Sequence, residues 1–212
     1  MNPEEVASYL QKHPEFFEQY ADMLATIFVP HPHGGRAIPI SERQVLTLRE
    51  NGRLLETKLK ELIEFGEKND TISERLHGLT LAILGATDLA TTIQGIYSSL
   101  RDGFGITHVA LKLWPEKPET TLPEFAGASL ESQAFAESLI TPYCSSRAMM
   151  DTQTWFTVDQ LQSFAYVGLR NDKTFGLLVL ASEDAHRFYP EMGTLYLKRL
   201  GEITSKGLAR YL

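Results

Sequence analysis

Apolar residues recur along this chain with three periods, and each predicts a different kind of element. Two apolar runs, Phe164–Leu169 and Phe175–Ser182, flank the polar segment Arg170–Thr174. Aromatic and β-branched residues on either side of an Asn-Asp-Lys turn predict a β-hairpin. Thr107–Leu113 alternates, with Val109, Leu111 and Leu113 toward a core and His108, Ala110 and Lys112 on the other side, as a strand does. Helical periodicity marks three further segments. Asp88–Asp102 carries Leu89, Ile93, Ile96, Tyr97 and Leu100; Ser129–Ile140 carries Leu130, Phe135 and Leu139; and 190–212 carries Leu195, Leu197, Leu200, Ile203 and Leu208. Leu122–Ala126 reads as a short strand, Thr141–Thr157 as irregular and Asp159–Gln162 as a helical turn.

The third period is seven. Leu48, Leu55, Leu62, Asn69, Leu76 and Ile83 form one column of a long helix over 41–84, with Val45, Gly52, Leu59, Gly66, Ser73 and Thr80 as a weaker companion column. Ser41 is its expected N-cap, with Gln44 completing a capping box. A narrow apolar seam with one Asn predicts a coiled-coil-like helix that pairs with a second copy, Asn69 fixing the register; the alternative is a helix packed on its own domain. Ahead of it, residues 3–28 form one or two short helices. One has Val6, Tyr9 and Leu10 on a face; the other has Phe16, Phe17, Tyr20, Met23, Leu24 and Ile27. Three prolines and two glycines make 29–40 a loop.

The order helix, strand, strand, helix, hairpin, helix after residue 84 predicts an antiparallel sheet with segregated helices, an α+β class. The expected organisation is 1–40 short helices and loop, 41–84 the dimerisation helix, and 85–212 the sheet domain. Charge narrows the partners. The net charge is −7 over 212 residues, and 1–84 and 85–212 hold −4 and −3 of it (9 against 13, then 11 against 14 basic and acidic residues). Neither part has the basic surface that nonspecific nucleic-acid binding needs. No apolar run approaches the ~20 residues of a membrane span. A single cysteine, Cys144, excludes an intrachain disulfide and fits a reducing, cytoplasmic setting.

No reaction announces itself. There is no nucleophile elbow, P-loop, dinucleotide fingerprint or HExxH. His31 and His33 alone leave a zinc ion short of ligands, so no metal site is expected. Glu183 and Asp184 read as a solvated turn. Asp184, His186, Arg187 and Phe188 read as turn and cap residues. Cys144 has no second cysteine to resolve a sulfenic acid, and reads as a buried structural residue. No catalytic residue is assigned, and no cofactor is indicated.

Several segments carry a family resemblance: YLQKHPEFF (Tyr9–Phe17), VPHPHGGRAIPISERQV (Val29–Val45), TLRE (Thr47–Glu50), ELIEFGEKND (Glu61–Asp70), TPYCS (Thr141–Ser145), the hairpin, and DAHRFYPEMGTLYLKRL (Asp184–Leu200). Together they resemble the bacterial family known as domain of unknown function 484, whose C-terminal part is similar to a GAF domain. The resemblance implies an antiparallel sheet flanked by helices, preceded by an all-helical extension. It also implies a small-molecule pocket between the sheet and the connection 125–166. Here that connection holds Tyr143, Arg147, Trp155, Phe156 and Tyr166, a wall suited to a planar or anionic ligand. The implied function is a non-enzymatic regulatory or sensory module, homodimeric through the long helix and acting on a protein partner. The alternatives are a ligand-free adaptor and a thiol enzyme of the methionine sulfoxide reductase kind.

Overall fold

Helix α1 (Pro3–Lys12) opens on a capping box: Asn2 accepts from Glu4 N–H at 3.2 Å and gives its own N–H to Glu5 at 3.0 Å. Pro14 interrupts, and two short helices follow, α2 (Glu15–Gln19) and α3 (Ala21–Thr26). Three helices thus stand where one or two are expected. Phe16 stacks on Tyr20 at 4.8 Å and meets Phe17 edge-on at 5.7 Å. A computed structural model describes residues 2–29, 38–115 and 122–212 of the chain. His31 and His33 lie outside the described residues. The ends of the 29–40 loop are not irregular: β1 (Phe28–Val29) pairs antiparallel with β2 (Ile38–Pro39).

Helix α4 (Ile40–Gly85) is the long helix. It starts one residue before Ser41, so Ser41 sits inside the first turn instead of flanking it. Packing divides the chain into two units, Met1–Glu67 and Lys68–Leu212, and α4 contributes to both. In the first unit an apolar groove is lined by Leu10, Phe16, Phe17, Met23 and Ile27 together with Ile40.

In the second unit Asp88 caps α5 (Leu89–Ser98), accepting from Thr91 N–H at 2.8 Å. The helix widens into a π-turn over Ser99–Gly103 before β3 (His108–Leu113). Residues expected to form a strand at 122–126 instead make a 3-10 turn, Pro123–Phe125, started by Pro123, whose missing N–H suits a helix start better than a ladder. Helix α6 (Leu130–Ser138) is capped by Ser129. Its buried residues are Ser132 and Ala136, whereas Leu130, read as apolar-facing, is 82% exposed. The segment 141–157 is not wholly irregular: it holds the edge strand β4 (Tyr143–Ser145) and a 3-10 turn, Thr152–Trp155. That turn lies ahead of Asp159–Gln162, which is not helical. The hairpin forms as β5 (Ser163–Arg170) and β6 (Thr174–Ser182), and α7 (Leu195–Leu208) ends the fold.

The sheet order is β3-β6-β5-β4, antiparallel throughout. The class is therefore α+β, as expected. β5 and β6 lie in the middle and are covered on both faces, which is why they read as continuous apolar runs rather than alternating ones. One face carries Leu111, Leu113, Val167, Leu178 and Leu180, packed with Ile93 and Ile96 of α5, Leu200 of α7, and Leu76, Leu79 and Ile83 of α4. The other face carries Ala110, Phe164, Tyr166, Leu177 and Val179, closed by Ala136 of α6.

The heptad column of α4 thus divides. Leu76 and Ile83 are buried in the sheet unit, while Leu48, Leu55 and Leu62 are 68%, 69% and 66% exposed. The same seven-residue repeat meets its own domain in one half and solvent in the other.

Candidate functional site

The strand alternation of β5 puts Phe164 and Tyr166 on the α6 face, and the β4 register sets Tyr143 opposite Tyr166 and Ser145 opposite Phe164. The rings form a continuous layer. Tyr166 stacks on Phe164 at 6.3 Å and on Tyr143 at 6.4 Å, and meets Phe135 of α6 edge-on at 5.4 Å. Phe156 adds a tilted contact with Phe164 at 6.4 Å, and Trp155 packs against the same cluster. The four sequence-predicted aromatics therefore come together. Arg147 does not join them: its side chain is exposed on the loop after β4, and its backbone N–H donates to Ser145 Oγ at 3.1 Å.

Polar groups pin this layer. The Tyr166 hydroxyl is buried and accepts from Met149 N–H at 2.8 Å. Thr152 Oγ1 donates to Met149 C=O at 2.6 Å, which uses its only proton. The 3.2 Å contact between the two hydroxyls is then donated by Tyr166. Burial pushes the Tyr166 phenol above its ordinary range, outweighing the Met149 N–H bond that favours the anion, so it stays a neutral donor. Between these anchors Met150 adopts a positive φ of 53°.

Asp151 fastens the loop to α6. It accepts from Ser129 Oγ at 3.0 Å and from Ser132 Oγ. Partial burial acts to raise this carboxyl, but the Ser132 and Ser129 bonds win and hold it below the usual carboxylate range. These anchors were not among the residues read from the sequence. Ser129 and Ser132 carry only an N-cap signal, and Asp151 lies 19 residues beyond Ser132 with no local pattern linking them.

A depression lies elsewhere, between β5 and α7. It encloses about 160 Å³ among Pro142, Val167, Arg170, Lys198, Ser205 and Lys206. Two of its cations, Arg170 and Lys206, have work already. Arg170 Nη2 donates to the α6 C-terminal carbonyls of Ala136 at 3.3 Å and of Leu139, and its backbone N–H goes to Ser205 Oγ at 3.1 Å. Such a cation stabilises a helix C-terminus. Lys206 Nζ donates to Asn171 Oδ1 at 2.7 Å.

Cys144 is 1% exposed beside Ala165, and burial pushes its thiol upward. Among the described residues no three His, Cys, Asp or Glu side chains gather as metal ligands. No described helix is long and apolar enough to cross a membrane.

The family model described as "Protein of unknown function, DUF484" matches residues 1–212, and the chain belongs to that family. It is 24% identical to the uncharacterized protein YigA of Salmonella typhimurium, over 98% of this chain and 91% of that protein. It is 23% identical to YigA of Escherichia coli over the same shares. Among solved structures it is similar to the GAF domain of a phosphoenolpyruvate-protein phosphotransferase from Coxiella burnetii, at 12% identity and TM-score 0.48, covering 66% of this chain and 94% of that one. It is also similar to a free methionine-R-sulfoxide reductase from Neisseria meningitidis, at 18% identity and TM-score 0.46, covering 65% and 88%.

Proposed function

We propose that this protein is a non-enzymatic, dimeric regulatory module of GAF-like fold, in which helix α4 carries a signal between the sheet domain and a protein partner. The observation that carries this reading is the divided heptad column. Leu76, Leu79 and Ile83 of α4 are part of the sheet domain's core, while Leu48, Leu55 and Leu62 of the same helix face water. Exposed large apolar side chains at heptad spacing mark an association surface. A helix rooted in one packed core and ending in an association seam is an element that a change in that core can bias.

The non-enzymatic part of the reading is supported by the state of the only cysteine. A thiolate is the nucleophile in sulfoxide reduction, and burial disfavours it at Cys144. The same free thiol supports a cytoplasmic location, where thiols stay reduced.

For the input, the aromatic layer at Tyr143, Trp155, Phe156 and Tyr166 is the element where a small planar or anionic ligand would enter, with Arg147 at the rim. A second reading, the ligand-free adaptor, is favoured by the density of that layer: Tyr166 is 0% exposed and Phe164 1%. In that case the sheet domain is a scaffold and only the partner state is transmitted.

Light scattering on the purified chain, followed by native mass spectrometry, tests the reading. A mass twice that of the chain is expected, falling to one chain when Leu48, Leu55 and Leu62 are replaced by Glu, with unchanged circular dichroism. A wild-type monomer overturns the dimeric module. A stoichiometric small molecule retained on the dimer selects the ligand-binding form, and a bare dimer selects the adaptor.

A further inference from the structure

The seam of α4 is apolar in either direction, and the residues beside it set which direction two copies take. Val45, Leu48, Leu55, Leu59 and Leu62 are all exposed, between 46% and 69%. Gly52 interrupts them, and Arg49 and Glu56 flank them, both exposed.

Resting on the dimeric reading above, we propose that residues 45–62 pair antiparallel with the same residues of a second copy. Val45 lies opposite the partner's Leu62, Leu48 opposite the partner's Leu59, and Gly52 opposite the partner's Leu55. Each weak position of the companion column then meets a leucine. In a parallel pair each residue meets its own copy, so Gly52 faces the partner's Gly52 and leaves a gap that costs packing.

Charge agrees. In the antiparallel register Arg49 stands beside the partner's Glu56, and symmetry repeats the pair at the other end. In a parallel pair Arg49 stands across from the partner's Gln44 and Glu56 from the partner's Asn51, so neither finds an opposite charge. Neighbouring antiparallel registers are disfavoured as well. A shift of one heptad brings Glu56 against the partner's Glu56, and a shift the other way brings Arg49 against the partner's Arg49. Like charges at such positions select against the wrong alignment. The paired stretch ends where Gly66 and Asn69 interrupt the column, short of the residues that α4 commits to its own sheet domain.

Cysteine cross-linking tests the orientation on the full chain, with the buried Cys144 retained. Antiparallel pairing sets the two copies of residue 48 about 16 Å apart along the helix, eleven residues at 1.5 Å each, beyond disulfide reach. A tagged Leu48→Cys chain mixed with an untagged Leu59→Cys chain is therefore expected to form the mixed disulfide dimer under mild oxidation, and Leu48→Cys alone none. Self-linking of Leu48→Cys alone, or a dimer by light scattering that forms no mixed disulfide, overturns the antiparallel register and leaves the dimeric reading standing. A monomer by light scattering overturns both. As an independent check, Arg49→Glu and Glu56→Arg are each expected to weaken dimerisation by about tenfold, with the double variant restoring it. A double variant no better than either single overturns the pairing of these two residues.

Discussion

Gly207 of α7 faces Ile83 of α4 so closely that a Cβ at position 207 would lie 2.5 Å from Ile83 Cγ2. The last helix can seat on the end of the long helix only because this position has no side chain. Gly207→Ala gains helix propensity but overpacks a β-branched neighbour that has no spare rotamer. A net loss of about 1–2 kcal/mol is expected in urea unfolding. Truncating the neighbour makes room, so Gly207→Ala with Ile83→Ala should cost less than the sum of the two single changes. Gly78 of α4 is the control. Nothing lies within 4 Å of its added Cβ, and Gly78→Ala should stabilise by about 0.5–1 kcal/mol.

Ser132 is fully buried and its hydroxyl serves Asp151, so Ser132→Ala should cost about 1–2 kcal/mol by stripping a donor from that carboxylate. The linkage gives a sign for pH. The Asp151 carboxyl is held below its unfolded range, so its stabilisation is present above the unfolded pKa and is lost as pH falls through the folded one. The stability gap between wild type and Asp151→Asn should therefore be open at neutral pH and close on acidification below about pH 4. Urea midpoints taken at several pH values check this, and a gap that widens in acid contradicts it.

Much of the fold was legible because it is written in local periods. The hairpin, the alternation of 107–113 and the heptads of α4 each depend on side-chain spacing alone. The edge strand Tyr143–Ser145 was not legible: three residues carry no period, and only the register against β5 makes them a strand. Leu122–Ala126 misled because apolar content outweighed the preference of Pro123 for a helix start. The four aromatics of the candidate site could be collected from one connection, but their polar anchors could not. Asp151, Ser132 and Thr152 are ordinary loop and cap residues until the tertiary fold brings them together. Whether a heptad column meets another copy, its own domain or water is likewise tertiary information: in α4 Leu76 and Ile83 enter their own domain's core while Leu48, Leu55 and Leu62 face water.

Tyr166→Phe isolates the polar role of the aromatic layer from its packing. The ring and its stacking on Phe164 and Phe135 remain, but Met149 N–H loses its acceptor. An orphaned buried donor costs about 1–3 kcal/mol, so the variant should unfold earlier by that amount. Proteolysis should locate the effect in the loop 146–157 ahead of the rest of the domain, because that is the segment the hydroxyl holds to β5. A Tyr166→Phe protein with wild-type stability and loop protection would show that the ring alone fixes the loop.

Cys144 reports on the opening of the sheet domain. The thiol is 1% exposed and burial keeps it protonated, and both features suppress alkylation. Iodoacetamide labelling of the folded protein near neutral pH should be far slower than labelling in urea. It should rise together with local opening of β4 from β5, since β4 is the edge strand and Cys144 pairs with Ala165 across that ladder. Replacing Tyr166 by Phe loosens the adjoining loop, and should speed labelling of Cys144 more than it lowers the urea midpoint. Fast labelling of the untouched folded protein, on the timescale of a free thiol, would instead place Cys144 within reach of a substrate and reopen the thiol-enzyme reading.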